Sequence, residues 1–158
     1  LYMLDRVDFP LTTSQISEFI LDKGYTTYFR LQSALAELTD SGLLKIELTH
    51  NRTLYNLTEE GAATINYFRN KISPEIRQEI DNFINEKKYD LKEEVSVKSD
   101  YYLNTNHEYE VKCQILENGS HLIDMTLTVP TQTEAEAIVN NWNRKNQEIY
   151  ALLLSQLL

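Results

Sequence analysis

The stretch from Leu43 to Gly61, LLKIELTHNRTLYNLTEEG, restricts the fold more than any other part of the chain. Its apolar residues alternate with polar ones in two short runs, which is the periodicity of β-strands. The letters THNR between the runs suit a turn, so the stretch predicts a β-hairpin. Thr58 then has the side chain of a helix N-cap and precedes two acidic residues that favour a helix start. We therefore predict a hairpin over Leu44–Leu57 that leads directly into a helix.

Three segments with helical periodicity precede this hairpin. The chain opens on LYMLDRVD, which has the pattern of the last turns of a helix that begins upstream of Leu1. Thr12 and Gln15 have the spacing of a capping box and start a second helix, which Gly24 ends. A third helix is predicted over residues 26–41. Its core-facing stripe consists of Leu31, Ala34, Leu35 and Leu38.

The second half of the chain predicts a helix, three strands and a last long helix. Ser73 and Pro74 open the first helix, which fades in NEKKYD, residues 85–90. Strands follow near residues 94–103, 108–116 and 123–129, where apolar residues alternate with polar ones. Thr131 and Glu134 form a second capping box, which starts the long helix.

The loop between the last two strands decides their register. A two-residue loop at Asn118 and Gly119 is typical of hairpins, but it would place apolar residues of one strand opposite polar residues of the next. A three-residue loop, Glu117 to Gly119 with Gly119 left-handed, places Cys113 opposite Ile123 instead. Because a slip of one residue turns every side chain to the other face, we predict the three-residue loop.

Three strings carry a resemblance to known proteins: LTTSQISEFI, LQSALAELTDSGLL and YNLTEEGA. The last resembles the junction between the wing and the next helix in MarR-like and PadR-like bacterial regulators. The longer string DRVDFPLTTSQISEFILDKGYTTYFRLQSALAEL resembles an uncharacterised family of winged-helix proteins from low-GC Gram-positive bacteria, over nearly the whole chain. The resemblance implies an α+β protein. A winged helix-turn-helix would occupy residues 1–72, and residues 73–158 would add a helix, a three-stranded antiparallel meander and a long C-terminal helix.

The resemblance also implies a DNA interface on the third helix, as the recognition helix, and on the hairpin, as the wing. Arg30 would read guanine and Gln32 adenine, while hydroxyl groups would bind phosphate. The expected interface consists of Thr26, Thr27, Tyr28, Arg30, Gln32, Ser33, His50, Asn51 and Arg52.

The net charge of −9 opposes DNA binding, since attraction to phosphate needs a basic surface. The charge is uneven, however: residues 1–72 carry a net −2 and residues 73–158 a net −7. Two functions remain open. One is a DNA-binding transcriptional regulator that acts as a homodimer; the other is a non-catalytic adaptor that docks proteins through the winged helix and the acidic C-terminal part.

No pattern in the chain indicates an enzyme. His107 and His121 flank one predicted hairpin but lie too far apart to share a metal. Cys113 falls on the apolar face of its strand, which favours a buried, inert thiol over a nucleophile. We expect no catalytic residue, no metal site and no cofactor.

The last helix ends in IYALLLSQLL, which is apolar around most of its circumference. It either pairs with a second subunit or packs on the three strands. Four aromatic residues either line a pocket for a small effector or belong to the core: Tyr101, Tyr102, Tyr109 and Trp142. No apolar run approaches the roughly 20 residues of a membrane span. A single cysteine fits a reducing compartment, so we expect a cytoplasmic protein.

Overall fold

The computed structural model describes residues 1–49, 52–117 and 120–158. Over these residues the protein is mixed α+β, with six α-helices and two small antiparallel sheets. In chain order the elements are α1 (Tyr2–Asp5), β1 (Leu11–Thr12), α2 (Thr13–Asp22), α3 (Tyr28–Asp40), β2 (Leu44–Leu48), β3 (Thr53–Leu57), α4 (Glu59–Phe68), α5 (Pro74–Ser96), β4 (Val97–Leu103), β5 (Tyr109–Glu117), β6 (Ser120–Val129) and α6 (Gln132–Leu157). The chain divides into two compact units, Leu1–Val95 and Ser96–Leu158.

Local side-chain bonds fix the helix starts that the sequence predicts. The Thr12 hydroxyl accepts from the Gln15 backbone N–H and the Gln15 side chain accepts from the Thr12 N–H, which confirms the capping box of α2. Thr58 caps α4 in the same way by accepting from the Gly61 N–H. Gly24, with a φ of 67°, follows α2 in the left-handed conformation that favours glycine.

The hairpin forms as predicted, and a short strand joins it. Leu44 pairs with Leu57 and Leu48 with Thr53, so β2 and β3 are in the register that the alternation requires. The sequence gives no signal for β1, which pairs with β3 and gives the strand order β1-β3-β2. Two residues are too few to show a period, so only the tertiary contact defines this strand.

The predicted end of α5 is wrong. The helix does not fade at residues 85–90 and no strand begins at residue 94, because α5 continues to Ser96. Leu91 and Val95 extend the buried stripe of Ile80 and Ile84 at helical spacing, and this burial outweighs the polar stretch between them.

The two compact units divide at residue 95, whereas the sequence predicts a domain boundary at residue 72. The reason is the position of α5. Its residues Ile80, Ile84 and Leu91 belong to the same hydrophobic core as α1 and α2, so the helix is part of the first unit.

The buried side of α3 is narrower than predicted. Leu31 and Leu35 are buried and Leu38 is half-buried, but Ala34 is exposed, so its assignment to the core is wrong. The exposed position of Ala34 widens the surface that α3 presents to solvent.

The second unit is a three-stranded meander with α6 on one face. Val111 and Cys113 of β5 form its core together with Val139 and Trp142 of α6. The Thr131 hydroxyl accepts from the Glu134 N–H and the Glu134 side chain accepts from the Thr131 N–H, which confirms the second capping box. The described part of the chain therefore includes the antiparallel meander and the long C-terminal helix that were predicted.

The predicted three-residue loop between β5 and β6 is wrong. Glu117 pairs with Ser120, so it belongs to the strand and not to the loop. An irregularity between Ile115 and Leu116 shifts the register and places Cys113 opposite Met125. The bulge keeps apolar residues on one face without a longer loop. The predicted left-handed Gly119 lies outside the described residues.

Gly61 is required by a close contact between α4 and the start of β2. A Cβ atom on Gly61 would lie 2.2 Å from the Leu43 carbonyl oxygen and 2.8 Å from the Leu57 Cδ1 atom. The backbone oxygen cannot move without displacing the strand, so this position accepts no larger residue.

We expect Gly61→Ala to lower the free energy of unfolding by about 1–3 kcal/mol, because it forces atoms into a filled space. Ala63→Gly is the matched control in the same helix, where Ala63 is exposed. It should cost about 1 kcal/mol through helix propensity alone. Urea unfolding followed by circular dichroism measures both. A stabilised Gly61→Ala protein would contradict the contact.

Candidate nucleic-acid interface

The outward face of α3 carries several of the predicted interface residues. Leu31 and Leu35 point into the core, and the opposite side carries Phe29, Arg30 and Ser33. Arg30 is exposed and has no ion pair or hydrogen bond with any described residue. Its guanidinium is thus available for a ligand.

The N-terminus of α3 differs from those of α2, α4 and α6. Thr27 is the N-cap residue, yet its side chain makes no capping hydrogen bond. The other three helices begin with a threonine whose hydroxyl accepts from a first-turn N–H. The first-turn amides of α3 consequently keep their capacity to donate to an anion beside Arg30.

The other predicted residues of α3 are less uniformly placed. Tyr28 is 53 % exposed, and Thr27 is exposed, but Thr26 is only half-exposed. Ser33 donates its hydroxyl to the Phe29 carbonyl oxygen at 3.1 Å. The Nε2 atom of Gln32 is buried and lacks a hydrogen-bond partner, so this amide nitrogen does not face solvent.

Arg52 is engaged within the first unit. Its Nη1 donates to the Glu94 backbone carbonyl at 2.5 Å. This carbonyl belongs to the last turn of α5, where main-chain oxygens have no partner inside the helix and a cation favours the helix dipole. Arg52 therefore acts as a cap for α5. His50 and Asn51, the other predicted residues of the hairpin tip, lie outside the described residues.

A buried amide joins the same end of α5 to α2. Gln15 is 2 % exposed, and its Nε2 donates to the Leu91 carbonyl at 3.1 Å and to the Glu94 Oε2 at 2.8 Å. Its Oε1 accepts from the Thr12 N–H at 2.9 Å. The Gln15 side chain thus links the start of α2 to the end of α5. Arg52 donates to the same residue of α5, Glu94.

The opposite end of α5 is attached just before α3. The Tyr25 hydroxyl donates to the Glu79 carboxylate, which also pairs with Lys23 at 3.3 Å. The bond to this carboxylate raises the pKa of Tyr25 to about 12 and lowers the pKa of Glu79. Glu79 and Glu94 are 15 residues apart, roughly 22 Å along the helix axis. Tyr25, just before α3, and Arg52 of the hairpin thus contact α5 near its opposite ends.

Positive charge on the outward face of α3 is sparse. The first unit carries 11 basic and 16 acidic side chains, a net −5. Among the described residues, cations of this unit pair with carboxylates: Arg6 with Asp81, Lys23 with Glu79, Lys87 with Glu18 and Lys92 with Asp8. Pairing of this kind removes positive charge from the surface and leaves Arg30 as the unpaired cation of α3.

A groove of about 380 Å³ lies on the first unit, away from the predicted interface residues. Leu4, Asp5, Val7, Asp8, Phe9, Pro10, Asn56 and Leu57 line it. The two carboxylates make this groove unfavourable for phosphate.

The second unit contains the cysteine and two of the histidines of the chain. Cys113 is fully buried, and this burial raises the pKa of its thiol to about 11, which disfavours the reactive thiolate. His121 is exposed beside Asp124, at 3.5 Å, and His107 occupies a turn with a φ of 62°. The described residues include no cluster of three side chains that could hold a metal ion.

The four aromatic residues of the second unit do not form one group. Tyr101 and Tyr109 lie close, with ring centroids 6.0 Å apart, and Tyr101 donates its hydroxyl to Glu136 of α6. Trp142 is buried in the core. Tyr102 is on the other face of the sheet, where its hydroxyl donates to Glu110 at 2.5 Å. The four residues therefore do not line one common pocket.

Phe29 is the residue that the predicted interface omits. It is 82 % exposed on the outward face of α3, between Tyr28 and Arg30. The signal was present in the sequence, because this large apolar residue is out of phase with the stripe of Leu31 and Leu35.

The family model described as "Domain of unknown function (DUF4364)" matches residues 1–157. The chain belongs to this family. No curated protein matches the chain, and no solved structure does so either. Within the described part of the chain, no helix is long and apolar enough to cross a membrane.

We expect Arg52→Ala to lower the free energy of unfolding by about 0.5–1 kcal/mol, because the Glu94 carbonyl loses its cationic partner. Arg30→Ala is the control, since Arg30 has no partner to lose and should change stability by less than about 0.5 kcal/mol. Urea unfolding measures both variants. Equal stability of Arg52→Ala and wild type would contradict the capping role.

Proposed function

We propose that the first unit is a winged helix-turn-helix that binds duplex DNA and that the protein is a transcriptional regulator. The order α1-β1-α2-α3-β2-β3-α4 supports this proposal, as does the compact turn at Gly24 between α2 and α3. In this arrangement α3 would enter the major groove and β2 and β3 would form the wing.

The observation that carries the proposal is the open first turn of α3. Its amides lack a side-chain cap, and Arg30 beside them is exposed and unpaired. A phosphate accepts from backbone amides at a helix N-terminus, and a guanidinium reads guanine in the major groove. Thr27 and Tyr28 add exposed hydroxyl groups for the DNA backbone.

The interface that we propose is smaller than the one predicted from the sequence. Arg52 caps α5, and the Gln32 nitrogen is buried, so we assign neither residue to base recognition. With Arg30 as the main cation and a net charge of −9, affinity per chain should be modest. Two copies on two half-sites would raise it.

Arg30→Ala should weaken DNA binding by about fivefold or more, since a bidentate base contact is worth roughly 1–3 kcal/mol. The DNA is obtained by selecting bound fragments from random genomic DNA with the full chain, and the Kd is measured by fluorescence anisotropy. Arg144→Ala is the matched control. It removes the same charge from an exposed position on α6 and should leave the Kd within about twofold.

Two outcomes would oppose this assignment. Equal losses in both variants would mean that total charge, and not a contact by Arg30, governs binding. If no fragment is enriched, the regulator proposal fails and the protein-docking adaptor takes its place.

We also propose that α6 joins two copies of the chain. Its last turns expose Leu152 by 60 %, Leu154 by 40 % and Leu157 by 79 %. Residues 149–158 carry no charged side chain, so two acidic copies could approach there without facing like charges. Exposed leucines with no charged neighbours along the helix favour association in water.

The double substitution Leu152→Glu and Leu157→Glu should shift the mass in solution from dimer to monomer. Tyr67→Glu is the control, because Tyr67 of α4 is 82 % exposed and the change also adds negative charge. Sedimentation equilibrium over a range of concentrations measures the mass. A monomeric wild-type protein at high concentration would contradict the dimer.

A further inference from the structure

Phe29 is an exposed aromatic side chain in the first turn of α3, on its outward face. Its ring is 82 % exposed and touches Tyr28, with ring centroids 6.0 Å apart and planes at 76°. Phenylalanine is usually buried, and leaving its ring in water forgoes a large part of its transfer free energy. A ligand that packs on this ring would supply an apolar contact that the described residues do not supply.

The rest of α3 argues against a protein groove as that contact. A helix that docks into a protein presents apolar anchors at spacings of three, four and seven residues. From Phe29, these spacings reach Gln32, Ser33 and Ala36, which offer no second large apolar side chain. Further along the exposed face lie the acidic residues Glu37 and Asp40. A single aromatic ring on an otherwise polar helix face suits a partner whose surface is mostly polar and carries isolated small apolar groups.

The major groove of DNA has this character. Its floor consists of hydrogen-bonding groups, and its distinctive apolar feature is the C5-methyl group of thymine. Phe29 lies beside Arg30 and the open first turn of α3, which are the groups suited to guanine and phosphate. When α3 enters the groove by its first turn, the ring of Phe29 reaches the floor next to Arg30.

We infer that Phe29 is a specificity residue that reads thymine by packing on its C5-methyl group. Tyr28 is a positioning residue, because its ring braces that of Phe29 from the side. The inference rests on the proposed DNA binding and adds the chemistry of the site: a thymine next to the base that Arg30 contacts.

Replacement of thymine by uracil tests this contact, because it removes one methyl group and leaves base pairing and charge unchanged. The duplex is one selected by the full chain, and each thymine is replaced in turn. Wild-type protein should lose about fourfold in affinity at one position, the value of one buried methyl group. Phe29→Ala should bind thymine and uracil duplexes equally there. Tyr89→Ala, which removes a 76 % exposed aromatic from α5, should keep the wild-type discrimination.

The outcomes separate this inference from the function on which it rests. If the wild-type protein binds no DNA, the proposed function fails and the thymine contact with it. If it binds DNA but every uracil duplex binds within about twofold of the thymine duplex, only the thymine contact is overturned. The thymine contact is also overturned if Phe29→Ala still distinguishes thymine from uracil. It is overturned as well if Phe29→Ala binds DNA as tightly as wild type, and a protein partner would then be the better explanation for the exposed ring.

Discussion

The polar contact of Gln15 is the interaction on which the arrangement of the first unit depends. An amide that is 2 % exposed must satisfy its hydrogen bonds inside the protein, and it does so with Thr12 at the start of α2 and with Leu91 and Glu94 at the end of α5. Hydrophobic contact between α2 and α5 would tolerate sliding, but these directional bonds fix one position. The position of α5 fixes in turn the carbonyl that Arg52 caps.

This arrangement determines which charges remain for a ligand. Ion pairs along α5 involve Lys23, Lys87 and Lys92. The guanidinium of Arg52, next to the hairpin strand β3, donates to the Glu94 carbonyl. Arg30 lies on the exposed face of α3, in the first turn of the helix, whose amides have no side-chain cap. An acidic chain can thus present a small region of positive charge at Arg30, although its total charge repels a polyanion at long range.

The sequence predicted those features that depend on a few neighbouring residues. The capping boxes at Thr12 and Thr131 and the hairpin after Leu43 have local signals, and all three are confirmed. Features that depend on distant partners were missed. The length of α5 follows from the burial of Leu91 and Val95, and the β5–β6 register follows from a bulge that no residue pattern marks. Among the interface residues, the capping role of Arg52 needs a partner 42 positions away, whereas the exposure of Phe29 follows from its phase in α3.

The central claim is that a single exposed arginine and an open helix start suffice for an acidic chain to bind duplex DNA. The dependence of the association constant on salt tests it most directly, because the slope of log K against log salt concentration counts the neutralised phosphates, at about −0.9 for each. For the full chain on a selected duplex, we expect a clearly negative slope and a positive potential confined to the first turn of α3. A slope of zero, or no binding at low salt, would contradict the claim.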